Sequence, residues 1–249
     1  MSDNLHSHPV VSREQWLQAR RELLLHEKAL TRQRDQVSAQ RRALPWVRID
    51  TPYPFEDAGG RYSLADLFGD NSQLVIYHFM FGAGWQEGCK GCSYLADHFD
   101  GANLHLAHHD VSLVAVSHAP WQEFQAFRQR MGWRFRWVSS HPSRFNKDFG
   151  VSASPEQIAR GEVSYNYETS QDPFEEMPGL SVFYRSPAGE IFHTYSTYAR
   201  GLDMLVGAYN FLDLTPKGRN EDPIMDWVRL HDQYEQSPRQ PAHSCCQAE

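Results

Sequence analysis

Two periodicities divide the chain. Over residues 11–43, Trp16, Leu17, Leu23, Leu24, Ala29, Leu30 and Val37 recur at helical intervals among arginines, glutamates and glutamines. That spacing predicts one long helix with a thin apolar stripe. Ser12 and Gln15 have capping-box spacing at its start, and Pro45 stops it. Such an arm is expected to pack on a neighbour, either its own domain or a second subunit, because an isolated amphipathic helix is marginal in water.

From residue 47 the pattern changes. Segment 47–55 is extended and proline-punctuated, 57–60 reads as a turn and 63–68 as a short helix. The run 73–81 is nearly continuous in apolar residues, which predicts a strand covered on both faces. Residues 93–109 read as a helix with a break at Gly101, 111–117 as a second buried strand, 120–131 as a helix and 135–139 as a third strand. This β-α-β-α-β order implies parallel strands joined by right-handed crossovers. After a loop at 145–163 with one helical turn, 180–185 and 190–196 predict a hairpin about the turn 186–189. A last core helix at 202–212, a linker at 216–223, a short peripheral helix at 224–234 and a disordered tail complete the reading. The chain therefore divides into a helical arm at 1–46, one α/β domain at 47–215 and an appendage at 216–249.

At 249 residues, 41% of them hydrophobic, the chain can bury a full core. No apolar run reaches the roughly 18 residues of a membrane span, and the polar N-terminus has no signal-peptide core. The net charge is −7, yet residues 13–48 hold nine Lys/Arg against four Asp/Glu. Because Glu14, Glu22, Glu27 and Asp35 interleave with these bases, the arm reads as a solvated, salt-bridged face rather than a nucleic-acid surface. Four cysteines, two of them the adjacent pair Cys245-Cys246 in the polar tail, do not make a disulfide framework. The expected compartment is a reducing cytoplasm, and the vicinal pair reads as incidental.

The candidate chemistry sits at Cys89-Lys90-Gly91-Cys92, between the apolar run and the next helix. Four-residue spacing on a first helical turn brings two sulfurs together, and the unpaired N–H groups there favour a thiolate on the first. Cys89 is the candidate nucleophile, with Lys90 expected to lower its pKa, and Cys92 the buried resolving thiol. Zinc is the competing reading. The pair supplies half a tetrahedral site that His98, His105, His108 or His109 would complete, but no second pair follows at structural-zinc spacing.

Three parallel strands, an antiparallel hairpin and a final helix, with C-x-x-C after the first core strand, resemble the thioredoxin arrangement. Met177-Pro178-Gly179-Leu180 resembles the stretch in which a cis-proline opens the hairpin strand facing the dithiol. In that fold the proline shields the dithiol and exposes backbone groups to a substrate peptide. The strings Glu27-Lys28-Ala29-Leu30-Thr31-Arg32, Tyr77-His78-Phe79-Met80-Phe81, Gly88 to Cys92, and Phe192 to Gly201 are similar to a bacterial family, the domain of unknown function 899, predicted to comprise thioredoxin-like dithiol–disulfide oxidoreductases.

The resemblance implies a central mixed sheet flanked by helices, catalytic Cys89 and Cys92, and Trp85, Lys90, Met177 and Pro178 at the substrate. His78 falls where thioredoxins bury a carboxylate. It reads either as a proton acceptor for Cys92 or, more simply, as a hydrogen-bonded core histidine. Trp85, four residues before Cys89, either covers the dithiol or packs a loop longer than thioredoxin's. Tyr195, Tyr198 and Arg200 either line a groove or belong to the core. The partners implied are a protein or small-molecule disulfide and an electron donor such as a cellular thiol system, with no bound cofactor.

A peroxiredoxin-like peroxidase shares the fold. Its cysteine loop needs a proline and a threonine where this chain has Gly82 and Gln86. A non-catalytic binding module on the same fold is the remaining alternative.

Overall fold

Continuous apolar strands need cover on both faces, and this chain supplies it around an eight-stranded mixed sheet. The computed structural model describes residues 8–170 and 173–236. The arm is α1 (Arg13–Arg42), closed at its start by the Ser12–Gln15 capping box. Short strands β1 (Val47–Arg48), β2 (Phe55–Asp57) and β3 (Gly60–Tyr62) lead through α2 (Leu64–Leu67) into β4 (Gln73–His78). There follow α3 (Lys90–Ala96), α4 (Phe99–Ala107), β5 (Val111–Ser117), α5 (Trp121–Met131), β6 (Arg136–Ser139), α6 (Phe145–Asp148) and α7 (Pro155–Ala159). A small hairpin, β7 (Ser164–Tyr165) and β8 (Glu168–Thr169), precedes β9 (Gly179–Arg185) and β10 (Ile191–Tyr198). A 3-10 segment at Ala199–Leu205, then α8 (Gly207–Leu212) and a second 3-10 turn at His231–Gln236, end the described chain.

The sheet order is β1-β10-β9-β4-β5-β6-β2-β3. β4, β5 and β6 run parallel, β9 lies antiparallel to β4, and β10 antiparallel to β9. This is the thioredoxin-like α/β arrangement, extended at both edges. Alternation along β4 sends Tyr77 to one core and Leu74 and Ile76 to the other. The first core takes α3, α4, α5 and α8 and holds Cys92, Phe79, Phe81, Trp137 and Tyr209, while the second packs Phe55, Phe68, Phe145, Phe149 and Phe183.

Four expectations are corrected. The strand read over 73–81 ends at His78, because Met80 gives its carbonyl to the Cys89 N–H at 3.2 Å as the loop folds back. The helix break falls at Asp97–His98 and not at Gly101, which lies inside α4. There the His98 ring donates from Nδ1 to the Tyr94 carbonyl at 2.9 Å and accepts the Ala208 N–H on Nε2 at 3.1 Å. The final helix splits at Val206, where Gly207 gives that ring room: a Cβ would stand 2.9 Å from it. Residues 224–227 form a turn and 231–236 a 3-10 turn rather than one α-helix, since Glu221 accepts the Met225 N–H and Arg229 donates to the carbonyls of Asp226 and Val228. Val228 and Leu230 are buried in the same core as Cys92, so the appendage is part of the domain's packing.

The arm buries no residue, and its Arg41 guanidinium stands over Tyr195 at 5.5 Å. No described helix is long and apolar enough to cross a membrane. Cys245 and Cys246 lie outside the described residues.

Candidate active site

Cys89 occupies the cap position of α3 and Cys92 the end of its first turn, both as free thiols. The chain reaches Cys89 under the Phe79 ring, where a Cβ on Gly88 would come within 2.5 Å of Phe79. Glycine is the residue that fits. The incoming loop is fastened by the Gly84 N–H on Glu123 at 2.6 Å and by Glu87 on Arg130.

The two thiols are driven apart electrostatically. A hydrogen bond from the Cys92 thiol is the largest influence on Cys89. With the N–H groups of Cys92 and Gly91 it outweighs burial and brings the Cys89 thiol down to about 6. Cys92 is pushed well above the ordinary thiol range, first by burial and then by its bond to Cys89. Lys90 is exposed, and the lowering comes from Cys92 and the backbone instead.

Tyr77 is the side chain that β4 sends to the dithiol. It is 1% exposed and its hydroxyl bonds Cys92, while burial raises the phenol well above its usual range. His78 belongs to the opposite face, which corrects its reading as an acceptor for Cys92. Its Nε2 meets Ser181 Oγ at 2.8 Å, and its ring stacks on Phe145 at 5.5 Å. Burial takes its pKa to about 3, so it is a neutral core imidazole. A polar chain continues from Ser181 to Ser196 at 2.8 Å and from Ser196 to His193 at 2.7 Å.

The proline region departs from the thioredoxin expectation. Among the described residues the one cis peptide bond is Asp222–Pro223, so Met177–Pro178 is trans. The Met177 N–H donates to the Val151 carbonyl at 2.8 Å and the Pro178 carbonyl accepts the Tyr165 hydroxyl at 2.6 Å. Two of the backbone groups expected to meet a substrate peptide are therefore occupied. Burial raises Tyr165 to about 12, and it lies within electrostatic reach of Cys92.

Trp85 packs the loop. Its indole covers Gly82, where a Cβ would stand 2.9 Å from Nε1, and it rests 6.4 Å from the Phe81 ring. Gln86 is exposed and bonds the Gly84 carbonyl. Tyr198 is buried with its hydroxyl on the Phe149 carbonyl, and Arg200 pairs with Asp203.

Sequence reasoning missed two features. Glu176, 4% exposed, holds the Ser152 hydroxyl at 2.6 Å and His118 Nδ1 at 3.1 Å beside Gly82. The only signal was an acidic residue just before Met177-Pro178. The other is the appendage, whose Met225 lies against Gly91. Of the histidines considered for zinc, His98 spends both ring nitrogens on the backbone. Among the described residues no three His, Cys, Asp or Glu come together as a metal set.

A thioredoxin-like sheet with a dithiol at the start of the helix after its first parallel core strand defines the class: a thioredoxin-fold protein with a C-x-x-C pair. The chain belongs to the DUF899 family, described as bacterial protein of unknown function, and the match spans residues 5–234. Comparison with curated proteins gave no match. Among solved structures, the chain is similar to peroxidoxin BcpB from Mycobacterium tuberculosis at 14% identity and TM-score 0.43, covering 66% of this chain and 94% of that one. It is also similar to Xanthomonas campestris peroxiredoxin Q at 15% identity and TM-score 0.42, covering 68% and 96%. Enterococcus faecalis AhpC aligns at 14% identity and TM-score 0.41, covering 68% and 92%.

Proposed function

We propose that this protein is a thiol–disulfide oxidoreductase. The observation that carries the reading is the asymmetric placement of the pair: Cys89 stands half-buried at the cap of α3, lowered to about 6 by the Cys92 thiol and the N–H groups of the helix start, while Cys92, one turn in, is buried and raised. At neutral pH Cys89 is then a thiolate while Cys92 keeps its proton, the poise that exchange requires.

The Cys89 thiolate attacks one sulfur of a substrate disulfide, forming a mixed disulfide and expelling the other sulfur as a thiolate. Cys92 gives up its proton to solvent, from which the departing substrate thiolates are reprotonated, and attacks Cys89 Sγ. The Cys89–Cys92 disulfide forms and the second substrate thiolate leaves. Two electrons from a cellular dithiol or thiol system then restore the pair. The substrate is a protein or small-molecule disulfide, the setting a reducing cytoplasm, and no bound cofactor enters the cycle.

The test is a redox titration in defined glutathione and dithiothreitol buffers, read by alkylation and intact mass beside Cys89→Ser. A single two-electron transition, absent in the variant, is expected. A pair that stays unbridged under strongly oxidising buffer overturns the reading.

A second part of the proposal concerns α1. Trp16, Leu23, Leu30 and Val37 recur every seven residues, and the first three are 46%, 53% and 54% exposed, which supports a seam between two copies of the arm.

A further inference from the structure

A tight turn after α8 places a thioether on the same side of Gly91 as the Cys89 sulfur. A Cβ on Gly91 would sit 2.9 Å from Met225 Sδ and 3.8 Å from Cys89 Sγ, so the space of a residue-91 side chain is shared between these two groups. Glycine at position 91 admits Met225 to the dithiol. Met225 is only partly buried and packs against the core that holds Cys92 and Tyr94.

The placement is built, not incidental. Met225 has φ +62°, a left-handed conformation that strains an L-residue other than glycine. What holds it there is Glu221, whose Oε2 receives the Tyr209 hydroxyl at 3.0 Å, the Met225 N–H at 3.0 Å and the Trp227 indole N–H at 3.2 Å. Trp227 in turn packs edge-on against Tyr94 of α3, with ring centres 5.5 Å apart. Farther on, His231 bonds Asp97 at 2.6 Å, and Asp232 pairs at 2.7 Å with Arg130, the arginine that also grips Glu87 beside the dithiol. The turn is thus mounted on both the helix and the loop that carry the cysteines.

We propose that Met225 is a specificity-determining residue of the dithiol site, forming an apolar wall that selects disulfides whose sulfur carries an apolar or aromatic group. This rests on the reading of Cys89 as the attacking thiolate. Glu221 receives three donors and Glu87 pairs with Arg130, so the group this turn presents across the Gly91 position toward Cys89 is a thioether rather than a free carboxylate. A flexible, polarizable thioether packs against aromatic and aliphatic groups of varied shape and offers a charged or strongly hydrated group little.

The test compares the single-turnover reaction of reduced full-length protein with 2,2′-dithiodipyridine, a neutral aromatic disulfide, and with hydroxyethyl disulfide, small and polar. The readout is the ratio of the two rates. Met225→Gln keeps the length but not the apolar surface. Met225→Gly relieves the left-handed backbone and so guards against a variant that fails to fold. Gly91→Ala leaves Met225 in the chain but takes its space.

All three variants are expected to lower the aromatic-to-polar ratio about tenfold, the scale of losing one apolar contact in a specificity pocket. An unchanged ratio, including the case in which both rates fall together, overturns the proposal. If the wild-type protein is alkylated at Cys89 by iodoacetamide but reacts with neither disulfide, the oxidoreductase reading itself fails, and this inference with it.

Discussion

Replacing Cys92 with alanine removes the sulfhydryl whose hydrogen bond is the largest influence lowering the Cys89 pKa. A hydrogen bond to a charged acceptor contributes about 1.5–3 kcal/mol, and one pKa unit corresponds to about 1.36 kcal/mol. The loss therefore raises Cys89 by roughly one to two units, from about 6 to about 7–8. It does not return to 9.0, the ordinary thiol value, because the N–H groups of residues 91 and 92 remain. At pH 7 the thiolate fraction, and with it the alkylation rate, falls roughly two- to tenfold. The assay is the pH profile of iodoacetamide alkylation of the reduced protein from about pH 5 to about pH 9, read by intact mass. Cys92→Ser keeps a donor and is expected to hold the midpoint near that of the wild type. If Cys92→Ala and the wild type share a midpoint, the helix start alone sets the pKa and the reasoning about the pair is wrong.

Tyr77→Phe deletes the hydroxyl that bonds Cys92, a contact worth about 1 kcal/mol, and is expected to prolong the mixed disulfide severalfold by raising Cys92 further. Quench-flow alkylation measures that lifetime, and an unaltered one removes Tyr77 from the chemistry. His78 ties stability to pH. Its folded pKa of about 3 lies below the ordinary 6.5, so the unfolded chain binds a proton that the folded one refuses. The contribution is complete above the unfolded value and is lost as pH falls toward the folded one, by up to about 1.36 kcal/mol per pH unit. Urea denaturation between about pH 7.5 and about pH 4.5 should show a shallower loss in His78→Gln, and equal slopes refute the assignment. Sedimentation equilibrium of the wild type and of the double variant Leu23→Glu, Leu30→Glu tests the arm. A dimer that becomes a monomer is expected, and a monomeric wild type ends the dimer reading.

What the sequence disclosed and what it hid follow from the range of the interactions concerned. The start of α1 and the strand Val111–Ser117 were legible because a capping box and a doubly covered strand are written in neighbouring residues. The dithiol and its place at a helix start were legible for the same reason. The choice between Tyr77 and His78 was not. In a strand buried on both faces, either residue satisfies the pattern, and only the partners across the sheet decide which one meets Cys92. The break at Asp97–His98 depends on Ala208, far along the chain, and so could not be read from the local glycine. The Met177–Pro178 stretch kept the order of the thioredoxin motif while Val151 and Tyr165 took up two of its backbone groups. Met225 was invisible for a related reason. Nothing in a Pro-Ile-Met sequence announces a turn that Glu221 will impose.

The contacts of the C-terminal segment also bear on the birth of the protein at the ribosome. Arg130 reaches Asp232, Asp97 reaches His231, and Val228 and Leu230 complete the core around Cys92. A chain synthesised only as far as α8 has both cysteines but lacks these late-arriving walls. Its dithiol would meet the surrounding thiols and oxidants without the apolar shelter of the finished protein, in the window when nascent domains are most exposed to wrong reactions. Premature termination is thus more than a loss of length here: it leaves a thiol pair without part of the core packed with Cys92.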